Sequence, residues 1–296
     1  MRVIFLGCGY LGYNLDVRLQ DKFDVEMWGI QSPYVERLSQ FTEVNAFDPE
    51  ALAKLDVEDA VIIDTVALVA NNARTDDDEL ALQEVENKYR ALLGVLKRGK
   101  AKRFIYFSSG GTIYGDSDRP ISEDAPIDPI SLYARSKART EKLIRESGID
   151  YLILRLSNPY GGYQLKGKSQ GVIPILINKA LDDEVFEMWT DSSTVRDYFY
   201  IDDLAEVICR LIRQDISGET INVGSHVGTS LQEVIDLVEE KTGKNIRIER
   251  KESNVHIVQS IILDTDKLYR LCGYVPDTPL TYGIQEEVKR ILEERE

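Results

Sequence analysis

The sequence has 296 residues, 43% of them hydrophobic, enough for one large domain or for a nucleotide-binding domain with a smaller lobe attached. A formal net charge of −15, with acidic residues spread along most of the length, argues against nucleic acid or an anionic membrane as partner, since either needs a basic face. Cys8, Cys209 and Cys272 are far apart and without metal-ligand spacing, and the histidines are only His226 and His256, so neither disulfides, nor a metal, nor His-driven nucleophilic catalysis is expected.

The opening segment MRVIFLG reads as a strand without a cleavable signal pattern, and no apolar run reaches the roughly 18 to 20 residues of a membrane span. The expected location is the cytoplasm. Gly7-Cys8-Gly9-Tyr10-Leu11-Gly12 follows directly and opens the helix NLDVRLQ. Glycines at this spacing let the chain turn tightly and approach a pyrophosphate through its backbone, with the helix N-terminus facing the negative charge. Gly7, Gly9, Tyr10, Leu11 and Gly12 are therefore the expected contacts of a dinucleotide.

In the second strand, FDVEMWG, Glu26 is expected to alternate off the site, and Gly29, Ile30 and Gln31 occupy the strand end. No acidic ribose ligand is evident there, so NAD is expected while NADP stays open. Asp48, in AFDPEAL, is a candidate adenine contact and equally a candidate helix N-cap.

AVIIDTVA, RFIYFSS and YLILRLS continue the series of apolar runs, as buried strands of a parallel sheet do. Between them, Leu82, Val85, Tyr89, Leu92, Leu93 and Leu96 recur at three- and four-residue spacings and form one apolar helix stripe. The strand RFIYF delivers Ser108-Ser109-Gly110-Gly111-Thr112 to the carboxyl end of the sheet, where open α/β sheets place their ligands. Pro129 and Ser131 then introduce a helix with Tyr133 and Lys137 on one face.

These residue types suit oxidation of a sugar hydroxyl, which loses its proton as its carbon loses hydride. A tyrosine serves as base only if its pKa, ordinarily about 10, is lowered, and a neighbouring ammonium and a cationic nicotinamide both favour the phenolate. Tyr133 is the expected base, and Lys137 the expected charge and ribose contact. A serine or threonine hydroxyl orients the substrate, and of Ser108, Ser109 and Thr112 the choice is Ser109. Beyond about residue 158 come Gly-, Asn- and Gln-containing loops, where Gly161, Gly162 and QLKGKSQG suggest an adaptable lid. ETINVGS reads as a strand returning to the sheet, and QEEVKRILEERE as a solvated terminal helix. The expected fold is α/β: a doubly wound, Rossmann-like parallel sheet over 1–158 plus about 197–224, with a smaller, discontinuous α+β lobe over about 159–196 plus 225–296.

GxGxxG, SSGGTIYG, Tyr133-x-x-x-Lys137, LRLSNPYG, VRDYFYIDDL and INVGS, in this order, resemble the extended short-chain dehydrogenase/reductase family, in its NAD-dependent epimerase/dehydratase branch typified by the UDP-glucose 4-epimerases. The resemblance covers nearly the whole chain. It implies bound NAD, a nucleotide-diphosphate sugar as substrate, and a homodimer built on the helices at 80–98 and 132–147. It also implies a structural role for Asn87 and diphosphate contacts for Asn158 and Arg196, with Asp197 and Tyr200 in the same block.

An Arg before a Tyr/Phe-rich strand suits a planar phosphate contact on chemical grounds as well, the alternative being an ion pair with Asp197 or Asp191. Two departures stand out: Gly110 occupies the usual place of the active-site hydroxyl, and RKESNVHIVQSIILD replaces the usual Arg-containing pattern, with Arg250 or Lys251 as substitutes. Dehydrating members carry an Asp-Glu pair where this chain has Gly111 and Thr112. Members that epimerise at C3 and C5 use a Cys and a His that are absent near 108–115. What remains is redox chemistry at one carbon, in a 4-epimerase or in a 4-keto-sugar reductase, and the resemblance favours the epimerase. A non-catalytic protein of this fold would have lost the Tyr or the Lys, and both are present.

Overall fold

The computed structural model describes residues 1–296 except 31–33, 39, 72, 165–170, 253–257 and 296. Its elements begin with β1 (Arg2–Leu6), α1 (Tyr10–Leu19), β2 (Asp24–Gly29), β3 (Phe41–Glu43), α2 (Pro49–Leu52), β4 (Val61–Asp64), α3 (Asp78–Arg98), β5 (Arg103–Ser109), α4 (Gly110–Ile113), α5 (Leu132–Glu146) and β6 (Tyr151–Leu156). They continue with β7 (Asn158–Tyr160), α6 (Val172–Leu181), β8 (Val185–Met188), β9 (Val195–Tyr200), α7 (Ile201–Arg213), β10 (Glu219–Val223), β11 (Gly228–Ser230), α8 (Leu231–Thr242), β12 (Arg247–Arg250), β13 (Ser260–Ile261), α9 (Asp266–Cys272) and α10 (Leu280–Glu293). Two compact units result: Met1–Tyr114 with Pro126–Leu156 and Ile208–Ile221, and Gly115–Ala125 with Ser157–Val207 and Asn222–Glu296. No described helix is long and apolar enough to cross a membrane.

The first unit is built on a sheet in the order β10-β6-β5-β4-β1-β2-β3. Its apolar runs are continuous because helices cover both faces, and Val3, Ile4, Phe5 and Leu6 of β1 have no exposed surface. β1 pairs in parallel with both β2 and β4, so the strand order reverses between β1 and β4. A doubly wound sheet opens a ligand crevice at such a switch point. The stripe read from the sequence is the buried face of α3: Leu82, Val85, Tyr89, Leu92, Leu93 and Leu96 all enter the core. Asn87, between those positions, faces away from this core. α5 begins where Ser131 Oγ accepts the Ala134 N–H at 3.1 Å, an N-cap that fixes the phase of the helix and hence the face of Tyr133 and Lys137.

In the second unit, β9 lies between β11 and β13 and also pairs with β7. α6, α8 and α10 enclose a separate core that includes Ile173, Ile177, Val234, Val238, Ile284, Val288 and Ile291. α10 is therefore not the solvated terminal helix expected from its acidic sequence. Ile284, Val288 and Ile291 recur at helical spacing and bury one face, and Glu287 is buried with them, paired with Arg290 at 2.8 Å.

The buried carboxylate of Asp197 staples β9 to the end of β10. Its Oδ1 accepts the N–H and the hydroxyl of Ser225, both at 2.8 Å, and its Oδ2 accepts the Leu263 N–H at 3.2 Å. Gly224 makes room for it, since a Cβ there would lie 2.3 Å from Oδ2. Gly224→Ala is expected to push Asp197 off Leu263 and lower stability by about 1 to 3 kcal/mol. A urea denaturation midpoint equal to wild type would show that the staple has slack.

Candidate active site

β1 ends in the glycine turn. Gly7 sits at φ +96°, a conformation that L side chains rarely adopt, and a Cβ on Gly12 would lie 2.3 Å from the Gly7 carbonyl oxygen. Thr65, just past β4, ties the turn down, its Oγ1 lying 2.9 Å from the carbonyl oxygens of both Leu6 and Gly7. Gly9 precedes α1, its side-chain position is open, and no side chain caps the helix. Tyr10 and Leu11 form the first turn. A helix start without a side-chain cap, beside an open glycine, fits the pyrophosphate of a dinucleotide.

The adenosine end is less decided. Glu26 is held by Arg2 Nε at 2.7 Å and Trp28 Nε1 at 3.1 Å, as expected for a residue turned off the site, and Gln31 lies outside the described residues. Asp48 caps α2, its Oδ1 accepting the N–H of Glu50 at 3.0 Å and of Ala51 at 3.3 Å.

At the other end of the crevice, β5 carries Ser108 and Ser109, and α5 carries Tyr133 and Lys137. Alternation along β5 sends the two serines opposite ways. Ser109 lies beside the Tyr133 hydroxyl and acts to lower its pKa. Ser108 Oγ donates at 2.6 Å to the fully buried Glu141, one turn beyond Lys137. Thr112 Oγ1 is buried without a partner, and Gly110 supplies no hydroxyl.

Glu141 also receives Arg155 through Nε at 3.0 Å and Nη2 at 2.8 Å, while Arg155 Nη1 reaches Tyr114 Oη at 2.8 Å. This bidentate pair holds Glu141 below the usual carboxylate range and Arg155 above its own, even though burial works against both charges.

Lys137 is 6% exposed, and its Nζ donates to the Phe107 carbonyl at 2.8 Å. Nζ lies 4.6 Å from the Tyr106 ring centroid and 5.6 Å from that of Tyr133. Burial pushes the ammonium down to about 8, opposed by the charges of Asp64 and Glu141. A small cavity of about 10 Å³, room for a water-sized molecule, is lined by Ala67, Leu68, Val69, Tyr106, Ser136 and Lys137.

Burial pushes the Tyr133 phenol up, and Ser109 only partly offsets it. The Lys137 ammonium sits closer to the Tyr106 ring than to that of Tyr133.

The remaining sequence candidates belong to the second unit. Asn158 Nδ2 donates to the Asp197 carbonyl at 3.1 Å. Arg196 directs its guanidinium at carbonyls, with Nη1 2.8 Å from Val195 O and Nη2 2.7 Å from Val258 O. Neither Asp197 nor Asp191 pairs with it, and burial lowers its pKa. Among the described residues no ion pair reaches this half-buried guanidinium, although the charge of Asp116 acts on it, and such a group suits an incoming anion. Lys251 is ion-paired with Glu249 at 2.6 Å and Glu187 at 3.7 Å, and most of QLKGKSQG lies outside the described residues.

Sequence reading missed Asp64, Tyr89, Tyr106, Glu141 and Arg155. Glu141 was readable, since it continues the helix face one turn after Lys137, whereas Asp64 acquires its setting only through tertiary packing.

A family model described as the NAD dependent epimerase/dehydratase family matches residues 5–224. Among curated proteins, the dTDP-4-dehydro-6-deoxyglucose reductase of Escherichia coli is 35% identical over 195 residues, 64% of this chain and 61% of that enzyme. A putative UDP-glucose 4-epimerase of Methanocaldococcus jannaschii is 27% identical over 301 residues, 95% of each chain. Among solved structures, the UDP-glucose 4-epimerase of Thermotoga maritima with UDP-glucose superimposes with a TM-score of 0.88 at 25% identity, over 100% of both chains.

Proposed function

The chain belongs to the NAD dependent epimerase/dehydratase family, and from that membership we propose that it is a nucleotide-sugar 4-epimerase, with a UDP-hexose as its first substrate to test. The observation that carries the reading is Ser109 set beside the Tyr133 hydroxyl, with a buried Lys137 one turn further along α5.

In this reading Ser109 orients the C4 hydroxyl and Tyr133 takes its proton as the C4–O bond becomes a carbonyl. When bound, NAD supplies the acceptor and donor of hydride and adds a positive charge beside the phenol. Lys137 adds a second cation and holds the ribose. After the ketone has turned over, Tyr133 returns the proton and the C4 epimer leaves. Gly7, Gly9, Tyr10, Leu11 and Gly12 hold the dinucleotide, with Asp48 toward the adenine, and Asn158 and Arg196 anchor the diphosphate. Arg196→Ala is expected to weaken nucleotide-sugar binding by about 2 to 5 kcal/mol. An unchanged Kd in calorimetry would return Arg196 to a structural role on β9.

The proposal extends to a cytoplasmic homodimer through α3 and α5, to be read by light scattering. These helices pack on each other through ion pairs of Arg139 with Glu79 at 2.7 Å and with Glu86 at 3.3 Å.

A 4-keto-sugar-nucleotide reductase is the second reading, favoured by the 35% identity to the E. coli reductase. An epimerase keeps its cofactor through the cycle, and a reductase exchanges it. Protein purified without added nucleotide and then denatured should release stoichiometric NAD(H). An empty site that binds NADH or NADPH reversibly would favour the reductase.

A further inference from the structure

We propose that Asp64 is a positioning residue for the Tyr133–Lys137 pair, its buried carboxylate being the counter-charge that keeps Lys137 an ammonium ion. The proposal rests on the reading of those two residues as the reactive pair. Asp64 ends β4 at the switch point and is 1% exposed, in a strand otherwise made of Val61, Ile62 and Ile63. A lone carboxylate in such a place carries a large desolvation penalty unless something compensates it.

Both of its oxygens accept a hydrogen bond. Tyr89 Oη donates to Oδ2 at 2.7 Å, and the Val66 N–H donates to Oδ1 at 2.9 Å. Burial raises the Asp64 pKa; these two donors and the charge of Lys137 oppose it, and of the three only Lys137 is a cation. Among the described residues no ion pair reaches Asp64, and none reaches Lys137, whose one hydrogen bond goes to the Phe107 carbonyl.

The Asp64 and Lys137 charges act on each other, and both lie near Tyr106. Asp64 and Tyr106 are register partners on adjacent strands, and Lys137 Nζ stands 4.6 Å from the Tyr106 centroid. Tyr89 meets Tyr106 edge-on, with centroids 5.6 Å apart at 84°, and closes the set from α3. Burial holds both phenols well above their ordinary range, so neither carries charge.

Of the other groups around Lys137, only Glu141 also supports its charge, and to a smaller extent than Asp64. Tyr133, on the same helix, is a neutral phenol while its own pKa is raised. Glu141, one turn on, is already neutralised by Arg155 at 2.8 Å and by Arg145 at 3.2 Å. Asp64 is thus the carboxylate near Lys137 whose charge nothing else balances, and it works against the burial that draws the ammonium down to about 8.

Removing that charge should lower the Lys137 pKa further, so that the amine loses its proton at a lower pH. Lysine labelled with carbon-13 at Cε reports this directly, and Lys137→Met identifies the signal. The wild-type midpoint is expected near 8, and Asp64→Asn should move it down by about one pH unit or more. The alkaline limb of kcat should move with it, with KM for the nucleotide sugar unchanged. An unchanged midpoint in folded Asp64→Asn, or in Asp64→Ser if the first does not fold, overturns the proposal. The carboxyl carbon-13 shift of Asp64 in the wild type is an independent check: a carboxylate at neutral pH, with an inflection at the Lys137 midpoint, supports the pairing, and a protonated acid overturns it. A displaced midpoint in a protein without turnover would instead sink the Tyr133–Lys137 reading and leave the coupling intact.

Discussion

Tyr133→Phe is expected to lower kcat by about 100- to 10,000-fold while leaving the Kd for nucleotide sugar near wild type, because only the oxygen that exchanges the proton is removed. The ring stays in place beside Ser109 and Lys137, so the change tests chemistry rather than packing. Steady-state kinetics with calorimetry on the same preparation separates the two. A near wild-type kcat would remove Tyr133 from the mechanism. A Kd raised as much as kcat falls would mean that the hydroxyl mainly binds the sugar.

The largest effect on stability is expected at Arg155. Arg155→Met leaves Glu141, fully buried, without its bidentate partner, and breaking a buried pair in this way costs about 3 to 5 kcal/mol. Because Glu141 and Ser108 brace α5 against β5, catalysis should fail along with the fold. The urea midpoint of the first unit is the measurement, and Glu141→Gln in the same chain should recover part of the loss by removing the stranded charge. Equal midpoints for wild type and Arg155→Met would mean that water replaces the guanidinium without penalty.

The sheet was legible because burial on both faces leaves unbroken apolar runs, and α3 because its stripe keeps one phase over its whole length. Tyr133 and Lys137 were legible for a related reason: a four-residue spacing on any helix selects one face. Alternation along β5 could not choose between Ser108 and Ser109, since that depends on which face meets α5. α10 was misread because charge dominated its composition and hid the period of Ile284, Val288 and Ile291. Asp64 and the carbonyl cradle of Arg196 were out of reach for another reason. Their partners, Tyr89 and Val258, come from segments that the fold alone brings near.

The central claim is transient oxidation at C4 with the hydrogen returned to the same carbon. The purified protein should be given UDP-glucose deuterated at C4, and the products separated and weighed by mass spectrometry. The account predicts the C4 epimer with deuterium retained at C4 and no net accumulation of NADH. Absence of the epimer, together with NAD(P)H-dependent reduction of a 4-keto-sugar nucleotide by the same preparation, would contradict it.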